Sequence, residues 1–228
     1  MIGVIFKFIS LLAVDLIRWI KGDEELRAVR YLRLARAGKI ITSRKAQSQQ
    51  IAVYPGASVS LPTGDYIVLR DSDVSLENRI ISDLKMIGDP AKTFMDALTH
   101  SFIWIYDKYD VFNCIQLTAV NMGDYPPISS ETIIETQTNL REHFRQTEPL
   151  KSFSLELEQL NLPNWEEACL VQKKELWSGE GGTKHLSIVI QDRPVEVIIS
   201  VDCSPKVYEH YAEKVVQIAH SYNKISNL

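Results

Sequence analysis

An almost continuous apolar run at the start of the chain, from Ile2 to Ile20, most constrains how the chain can fold. A basic stretch follows it at once. Residues 1–45 hold ten Lys and Arg against four Asp and Glu, a net charge of +6, whereas residues 46–228 hold fifteen against twenty-five, a net charge of −10. We therefore expect two differently built parts: a segment that meets a membrane or a partner, and an acidic globular body.

The length and composition indicate one main folded domain with an appendage. The chain has 228 residues, of which 45% are hydrophobic and 24% are charged, as in ordinary globular proteins. Its three cysteines (Cys114, Cys169 and Cys203) are widely spaced in apolar surroundings, which predicts buried, reduced thiols and no disulfide framework or metal clamp. The net charge of −4 argues against nucleic acid as a partner, because binders of phosphate backbones usually have a basic face.

Charged side chains inside the apolar run limit what that run can do. Lys7, Asp15 and Arg18 interrupt it, and no small-residue cleavage site follows, which argues against a secretory signal. A membrane span needs about twenty apolar residues with few charges, so these charges also argue against a simple span. Three interpretations stay open for this helix: burial against protein, an anchor in the bilayer interface, or a true span.

We predict that the apolar side of this helix and the basic cluster after it dock the protein to a partner or a membrane. If they touch a membrane, the positive-inside rule places the body on its cytoplasmic side. The expected location is therefore cytoplasmic, with possible peripheral contact with the inner membrane. The candidate docking residues are Phe6, Ile9, Leu12, Leu16, Trp19, Arg27, Arg30, Arg33 and Arg36.

The rest of the N-terminal segment, which we place at residues 1–55, is expected to be helical. Asp23 is placed to cap a second helix that runs to about Ala37, and Gly38 is placed to end it in a left-handed cap. A short third helix is predicted from about Ser43 to Val53, because Pro55 and Gly56 follow it as a stop signal.

The first half of the body, residues 56–228, is predicted to mix strands and helices. Ser58–Leu61 and Tyr66–Leu69 flank a Pro-Thr-Gly-Asp turn and indicate a β-hairpin. Two helical patterns between Ser75 and Phe102 predict a helical insertion at about residues 74–106. An aromatic cluster near their end is expected to be core, and residues 111–120 are expected to form a strand. The cluster consists of Phe102, Trp104, Tyr106, Tyr109 and Phe112.

The second half has clearer periodicity. Ser130 is placed to cap a helix, and Phe153, Leu155 and Leu157 alternate with polar residues as in a half-buried strand. A further extended stretch is followed by glycines that join strand to strand. The strongest hairpin runs from Leu186 to Cys203, and the last helix carries an apolar stripe to Tyr222. This order predicts an α+β fold, an antiparallel sheet with packed helices plus the N-terminal helical segment.

These elements resemble the PsbP/DcrB-like fold family, which includes the Eag chaperones of type VI secretion. The resemblance rests on the opening Val59-Ser60-Leu61-Pro62-Thr63-Gly64, a strand that ends near Val120, the helix from Ser130, and the hairpin and terminal helix from Leu186 to Tyr222. It extends over about three-quarters of the chain, and residues 1–55 depart from it. The resemblance implies accessory subunits and chaperones that bind another polypeptide.

No catalytic, cofactor or metal motif is present among the residues. The five histidines (His100, His143, His185, His210 and His220) lie outside HExxH and zinc-ligand spacings, and there is no G-x-S-x-G. The glycine run at 179–182 lacks the Lys and Ser/Thr of a phosphate-binding loop. We expect no cofactor, no metal and no catalytic residues.

The sequence therefore predicts a non-enzymatic accessory protein that binds another polypeptide, as an adaptor, chaperone or structural subunit of a bacterial secretion system within a multi-protein complex. Two alternatives stay open. The chain could be an immunity protein that blocks a toxin through its acidic face. It could also be a hydrolase or transferase with a site assembled from isolated residues, which a polar pocket holding His185 or His143 beside a carboxylate would favour.

Overall fold

A computed structural model of the chain describes residues 27–44, 49–70, 99–121, 127–147, 152–163, 165, 167, 169–178 and 181–224. These residues have the α+β fold that the sequence predicts, dominated by an antiparallel sheet. The helices are α1 (Arg27–Ala37), α2 (Ser130–Thr147) and α3 (Tyr208–His220). The strands are β1 (Lys39–Ser43), β2 (Gln50–Tyr54), β3 (Ala57–Ser60), β4 (Gly64–Arg70), β5 (Thr99–Asp107), β6 (Asp110–Asn121), β7 (Ser152–Leu160), β8 (Cys169–Ser178), β9 (Gly181–Asp192), β10 (Val195–Cys203) and β11 (Asn223–Lys224).

The strands form one large and one small antiparallel sheet. The large sheet has eight strands in the order β1-β4-β5-β6-β10-β9-β8-β7, and the small sheet has the order β11-β3-β2. Consecutive strands from β7 to β10 pair as hairpins, which is the arrangement that short connections favour. Strands β1 and β7 are therefore the two edges of the large sheet.

One face of the large sheet, the inner face, holds the main core. Alternate residues of β10 (Val195, Val197, Ile199 and Val201) are buried there, as their spacing in the sequence predicts. Helix α3 packs on β9 and β10, and the small sheet contacts β5 and β6. The buried residues that α3 and the chain after it supply are Tyr211, Val215, Ile218, Ala219 and Tyr222.

The opposite, outer face carries a second cluster under α1. Leu34 of α1 packs with Ile67, Leu69, Trp104, Tyr106 and Val111. The helix ends at Ala37 as predicted, but the left-handed cap at Gly38 is wrong, because Gly38 does not have a positive φ. A Cβ at this position would lie 2.8 Å from both Leu69 Cδ2 and Val68 O. The glycine is required by the close approach of the chain to β4, not by backbone handedness.

The predicted third helix at residues 43–53 is wrong. Ser43 ends β1, and Gln50–Tyr54 forms β2, which pairs with β3 through a turn in which Gly56 has φ +96°. Ile51 and Val53 alternate with exposed neighbours and are buried in the core, so tertiary burial with period two overrides the short helical pattern. Lys39–Ser43 and Gln50–Tyr54 thus pair with strands of the body, and independent docking by the segment before them stays a prediction.

The predicted hairpin of residues 58–61 and 66–69 is also wrong. Both stretches are strands, but β3 pairs with β2 and β11 in the small sheet, whereas β4 pairs with β1 and β5 in the large sheet. Residues 61–63 connect the two sheets. Gly64 and Asp65 of the predicted turn already belong to β4, and partner choice depends on non-local contacts that turn residues do not encode.

The helical prediction before the strand β6 is wrong where it reaches β5. Residues 99–107 are strand, paired on both sides with β4 and β6, while residues 71–98 lie outside the described residues. The aromatic cluster divides between core and surface. Trp104 and Tyr106 are buried, whereas Tyr109 and Phe112 are exposed.

Predictions for the second half are mostly confirmed. Strand β7 buries Leu155 and Leu157 and exposes the residues between them. The cap of α2 lies one residue earlier than predicted, because the Ser129 hydroxyl accepts a hydrogen bond from Thr132 N while Thr132 Oγ1 accepts one from Ser129 N. These reciprocal bonds satisfy two of the free N–H groups at the helix start. Ile134 of α2 is 66% exposed.

Candidate polypeptide-binding groove

The described elements leave part of the inner face open, where they form a groove of about 540 Å³. Strands β7 and β8 extend past α3, so their inner-face residues form the floor of the groove and one side of α3 forms its wall. The apolar lining residues are Leu160, Val171, Leu186, Tyr208, Ala212 and Val216. The polar lining residues are Ser154, Glu156, Glu158, Lys173, Glu175 and Glu209.

Four carboxylates and one lysine give this lining a net charge of −3. Two of the carboxylates are paired: Lys173 Nζ lies 2.9 Å from Glu158 Oε2, and Lys184 Nζ lies 2.6 Å from Glu175 Oε1. Lys184 also lies 5.0 Å from the centre of the Tyr208 ring. The side chains of Lys173 and Glu158 are 41% and 53% exposed, so this pair is solvated and holds the groove surface together only weakly.

The other two carboxylates are not neutralised. Within the described part of the chain, Glu156 on the floor and Glu209 on the wall have no ion-pair partner, and both are exposed. Burial and the negative charges of Glu209 and Glu175 raise the pKa of the Tyr208 hydroxyl above its ordinary value. The groove therefore combines apolar and charged lining residues with a negative potential.

The open edge of the sheet beside the groove is partly covered by α2. Gln137 Nε2 and Arg141 donate hydrogen bonds of 3.1 Å to the same carbonyl oxygen, that of Leu155 in β7. Covering backbone groups of an edge strand protects it against pairing with another strand. The groove face of β7 is left accessible, because Glu156 and Glu158 point to the side opposite Leu155 and Leu157.

At the far end of the inner face, a buried carboxylate is surrounded by donors. Asp192 is 2% exposed and accepts hydrogen bonds from the hydroxyls of Tyr54 and Tyr222 and from Lys224. Burial alone would raise the pKa of Asp192, but the hydrogen bonds from Lys224, Tyr222 and Tyr54 outweigh it and hold the pKa below its ordinary value. The pKa of Tyr54 rises to about 12, through burial and its bond to Asp192. These hydrogen bonds connect the small sheet and Tyr222 to the turn between β9 and β10.

His185, one of the two histidines that the sequence analysis named as candidates, lies on the outer face beside a carboxylate. His185 Nδ1 lies 2.9 Å from Asp202 Oδ1, and Lys174 is the neighbour of His185 on the next strand. Burial opposes ionisation of Asp202, but the hydrogen bond and charge of His185 outweigh it and lower the pKa of Asp202. His185 follows the opposite side of β9 from the groove residue Leu186. The side chain of His143 lies outside the described residues.

The surroundings of the three cysteines are those of structural residues. All three cysteines are free, as predicted, and burial raises the pKa of Cys169 to about 12 and of Cys203 to about 11. These thiols are therefore protonated at neutral pH. Among the described residues, no group of three or more His, Cys, Asp and Glu side chains could hold a metal ion.

The predicted docking residues fall in two places. Phe6, Ile9, Leu12, Leu16 and Trp19 lie outside the described residues. All four predicted arginines lie on α1, where Arg36 is exposed. Arg30 has a structural contact as well: its Nε donates a 2.8 Å hydrogen bond to Val111 O, and its guanidinium lies 5.5 Å from the centre of the Phe112 ring.

Within the described residues, no helix is long and apolar enough to cross a membrane.

The sequence reasoning missed the groove itself. Its carboxylates come from β7, β8 and α3, which are separated in the chain, so no motif joins them. One signal was available in β7, where Ser154, Glu156 and Glu158 alternate with apolar residues and predict a solvated face. That Glu209 and Ala212 of α3 stand beside this face follows only from the packing.

Comparisons with known proteins give a distant likeness to solved structures. No protein-family model matches the chain, and no curated protein matches it. The chain is similar to the solution structure of cyanobacterial PsbP (CyanoP) from Synechocystis sp. PCC 6803, with a TM-score of 0.48 and 8% sequence identity. The alignment covers 82% of this chain and 93% of that one. This likeness identifies neither a specific protein nor a partner.

Proposed function

We propose that this protein is a non-enzymatic accessory protein that binds another polypeptide, as an adaptor, chaperone or structural subunit of a bacterial secretion system. The observation that carries the proposal is the groove between α3 and strands β7 and β8, in which the side chains of Leu160, Tyr208, Ala212 and Val216 are only half-buried by the described elements. Side chains of a partner that fill such a groove would gain burial without any change in the fold.

The test compares partner binding before and after the groove is filled. Full-length tagged protein is purified from its native cell, and the proteins that come with it are identified by mass spectrometry. Ala212→Arg places a long side chain in the groove, and Gln217→Arg adds the same charge on the exposed side of α3. We expect Ala212→Arg to lose the partner and Gln217→Arg to keep it, with both melting temperatures recorded. Retention of the partner by a folded Ala212→Arg protein contradicts the proposal.

Docking by the N-terminal segment forms a second part of the proposal. The apolar residues before position 21 and the arginines of α1 would attach the protein to its complex or to the inner membrane from the cytoplasmic side. Deleting residues 1–21 should leave a protein that unfolds cooperatively but no longer joins its complex or membrane fraction. An aggregate without a thermal transition would mean that this segment belongs to the core.

Two other functions remain to be tested by the same experiments. The acidic groove also favours an immunity protein, which recovery of a toxin as the partner would indicate.

The His185–Asp202 pair favours a hydrolase or transferase, because a histidine oriented by a carboxylate is a common general base. His185→Ala should leave the cellular phenotype unchanged if the protein is only a binder. Loss of the phenotype with intact stability and partner binding would support the enzyme.

A further inference from the structure

The groove differs from an ordinary apolar docking site in the distribution of its charges. Its two paired carboxylates, Glu158 and Glu175, are compensated by lysines at 2.9 and 2.6 Å. Glu156 and Glu209 have no ion-pair partner among the described residues, although Glu156 lies opposite Lys173 in the sheet and Glu209 interacts electrostatically with Lys184. One lies on the strand floor and the other on the helix, and the lining as a whole keeps an excess of negative charge.

The apolar lining residues share the groove with these carboxylates. Val171 and Leu186 of the strands are buried in the core, so the apolar surface that remains open to an occupant comes from the half-buried Leu160, Tyr208, Ala212 and Val216. Ala212 and Val216 lie one turn apart on α3 and therefore face the same side of the helix. An occupant that complements the groove therefore supplies apolar side chains together with positive charge.

We propose that the groove binds an amphipathic helix of a partner protein whose apolar stripe is bordered by Lys or Arg, and that Glu156 and Glu209 recognise its basic side chains. The inference rests on the proposed function and states the chemistry of the partner. Like charge at the groove would repel an acidic helix with the same apolar pattern, so the carboxylates supply selectivity while the floor supplies burial.

The test uses two fluorescent peptides of equal length with Leu at the same helical positions, one bordered by Lys and the other by Glu. Binding to the full-length protein is followed by fluorescence anisotropy at low and high salt. We expect the Lys peptide to bind at least tenfold more tightly than the Glu peptide. Its affinity should fall as salt is added, because exposed charges are screened over about 10 Å at 0.1 M ionic strength.

Matched variants locate the charge effect. Glu156→Gln with Glu209→Gln should weaken binding of the Lys peptide by about five- to tenfold and reduce its salt dependence. Glu131→Gln with Glu135→Gln changes the net charge equally on the exposed surface of α2, outside the groove, and should leave the affinity within about twofold. Equal binding of the two peptides, or equal weakening by both variants, overturns the inference. If Ala212→Arg still abolishes native partner binding in that case, the groove binds a polypeptide of different chemistry and the proposed function stands.

Discussion

Two regions of the same sheet face have opposite characters. On β10, every inner-face residue is apolar and buried beneath α3, whereas on β7 the corresponding residues are Ser154, Glu156 and Glu158 and are exposed. The backbone is equally regular in both strands. The difference teaches that α3 defines the boundary of the core: it closes one part of the face and forms the wall of a groove along the other.

The carboxylates of the two regions differ in the same way. At the closed end of the inner face, Asp192 is buried and accepts hydrogen bonds from two tyrosines and a lysine. In the groove, Glu156 and Glu209 are exposed and form no ion pair with a described residue. A buried charge must be compensated within the protein, while a solvated one remains available for an external partner.

The largest expected effect comes from breaking the closed region. Ile199 and Val215 are both 0% exposed, so Ile199→Ala or Val215→Ala removes buried methyl groups and leaves a cavity. We expect each to lower the free energy of unfolding by about 2–4 kcal/mol, measured by urea denaturation. Glu156→Ala in the groove is the control and should change it by less than about 0.5 kcal/mol. Losses below about 0.5 kcal/mol at both core sites would mean that the closed region is not the core.

The next effect concerns the buried carboxylate. Asp192→Asn removes a charge that three donors stabilise, and it should cost about 1–3 kcal/mol at neutral pH. Because the pKa of Asp192 is lowered by folding, its contribution is complete above the unfolded value of about 3.9 and is lost as pH falls through the folded value. The wild type should therefore lose this stability in acid, and the variant should not. Denaturation curves of both proteins between neutral pH and pH 2 test this, and parallel pH profiles would contradict it.

The smallest expected effect lies at the rim of the groove. Glu158→Gln breaks the exposed pair with Lys173 and should change the free energy of unfolding by less than about 1 kcal/mol, decreasing with added salt. The same urea titration measures it. A larger, salt-independent loss would show that the groove surface is part of the folded core, and the contrast between the two regions would disappear.

Local periodicity allowed much of the second half to be predicted. The alternation in β7 and β10 and the apolar stripe of α3 each lie within one element, and burial follows them. The first half was predicted less well. Gln50–Tyr54 was assigned to a helix, and β3 was paired with β4, because short apolar stretches fit either period and their partners lie far away in the sequence.

From the sequence, the alternation of Ser154, Glu156 and Glu158 with apolar residues could be predicted. That these three residues line a groove could not. A polar strand face predicts exposure and does not say what stands next to it.

By itself, the sequence determined the composition break after the first forty-five residues, the antiparallel α+β class and the faces of its most regular elements, because these depend on neighbours within a few positions. The tertiary structure alone decided that Lys39–Ser43 and Gln50–Tyr54 pair with strands of the body, that Gly38 is required by a close contact, and that the described elements leave part of the inner face of β7 and β8 open. These features depend on contacts between residues distant in the chain, whose free energy exists only once the sheets and helices have packed together.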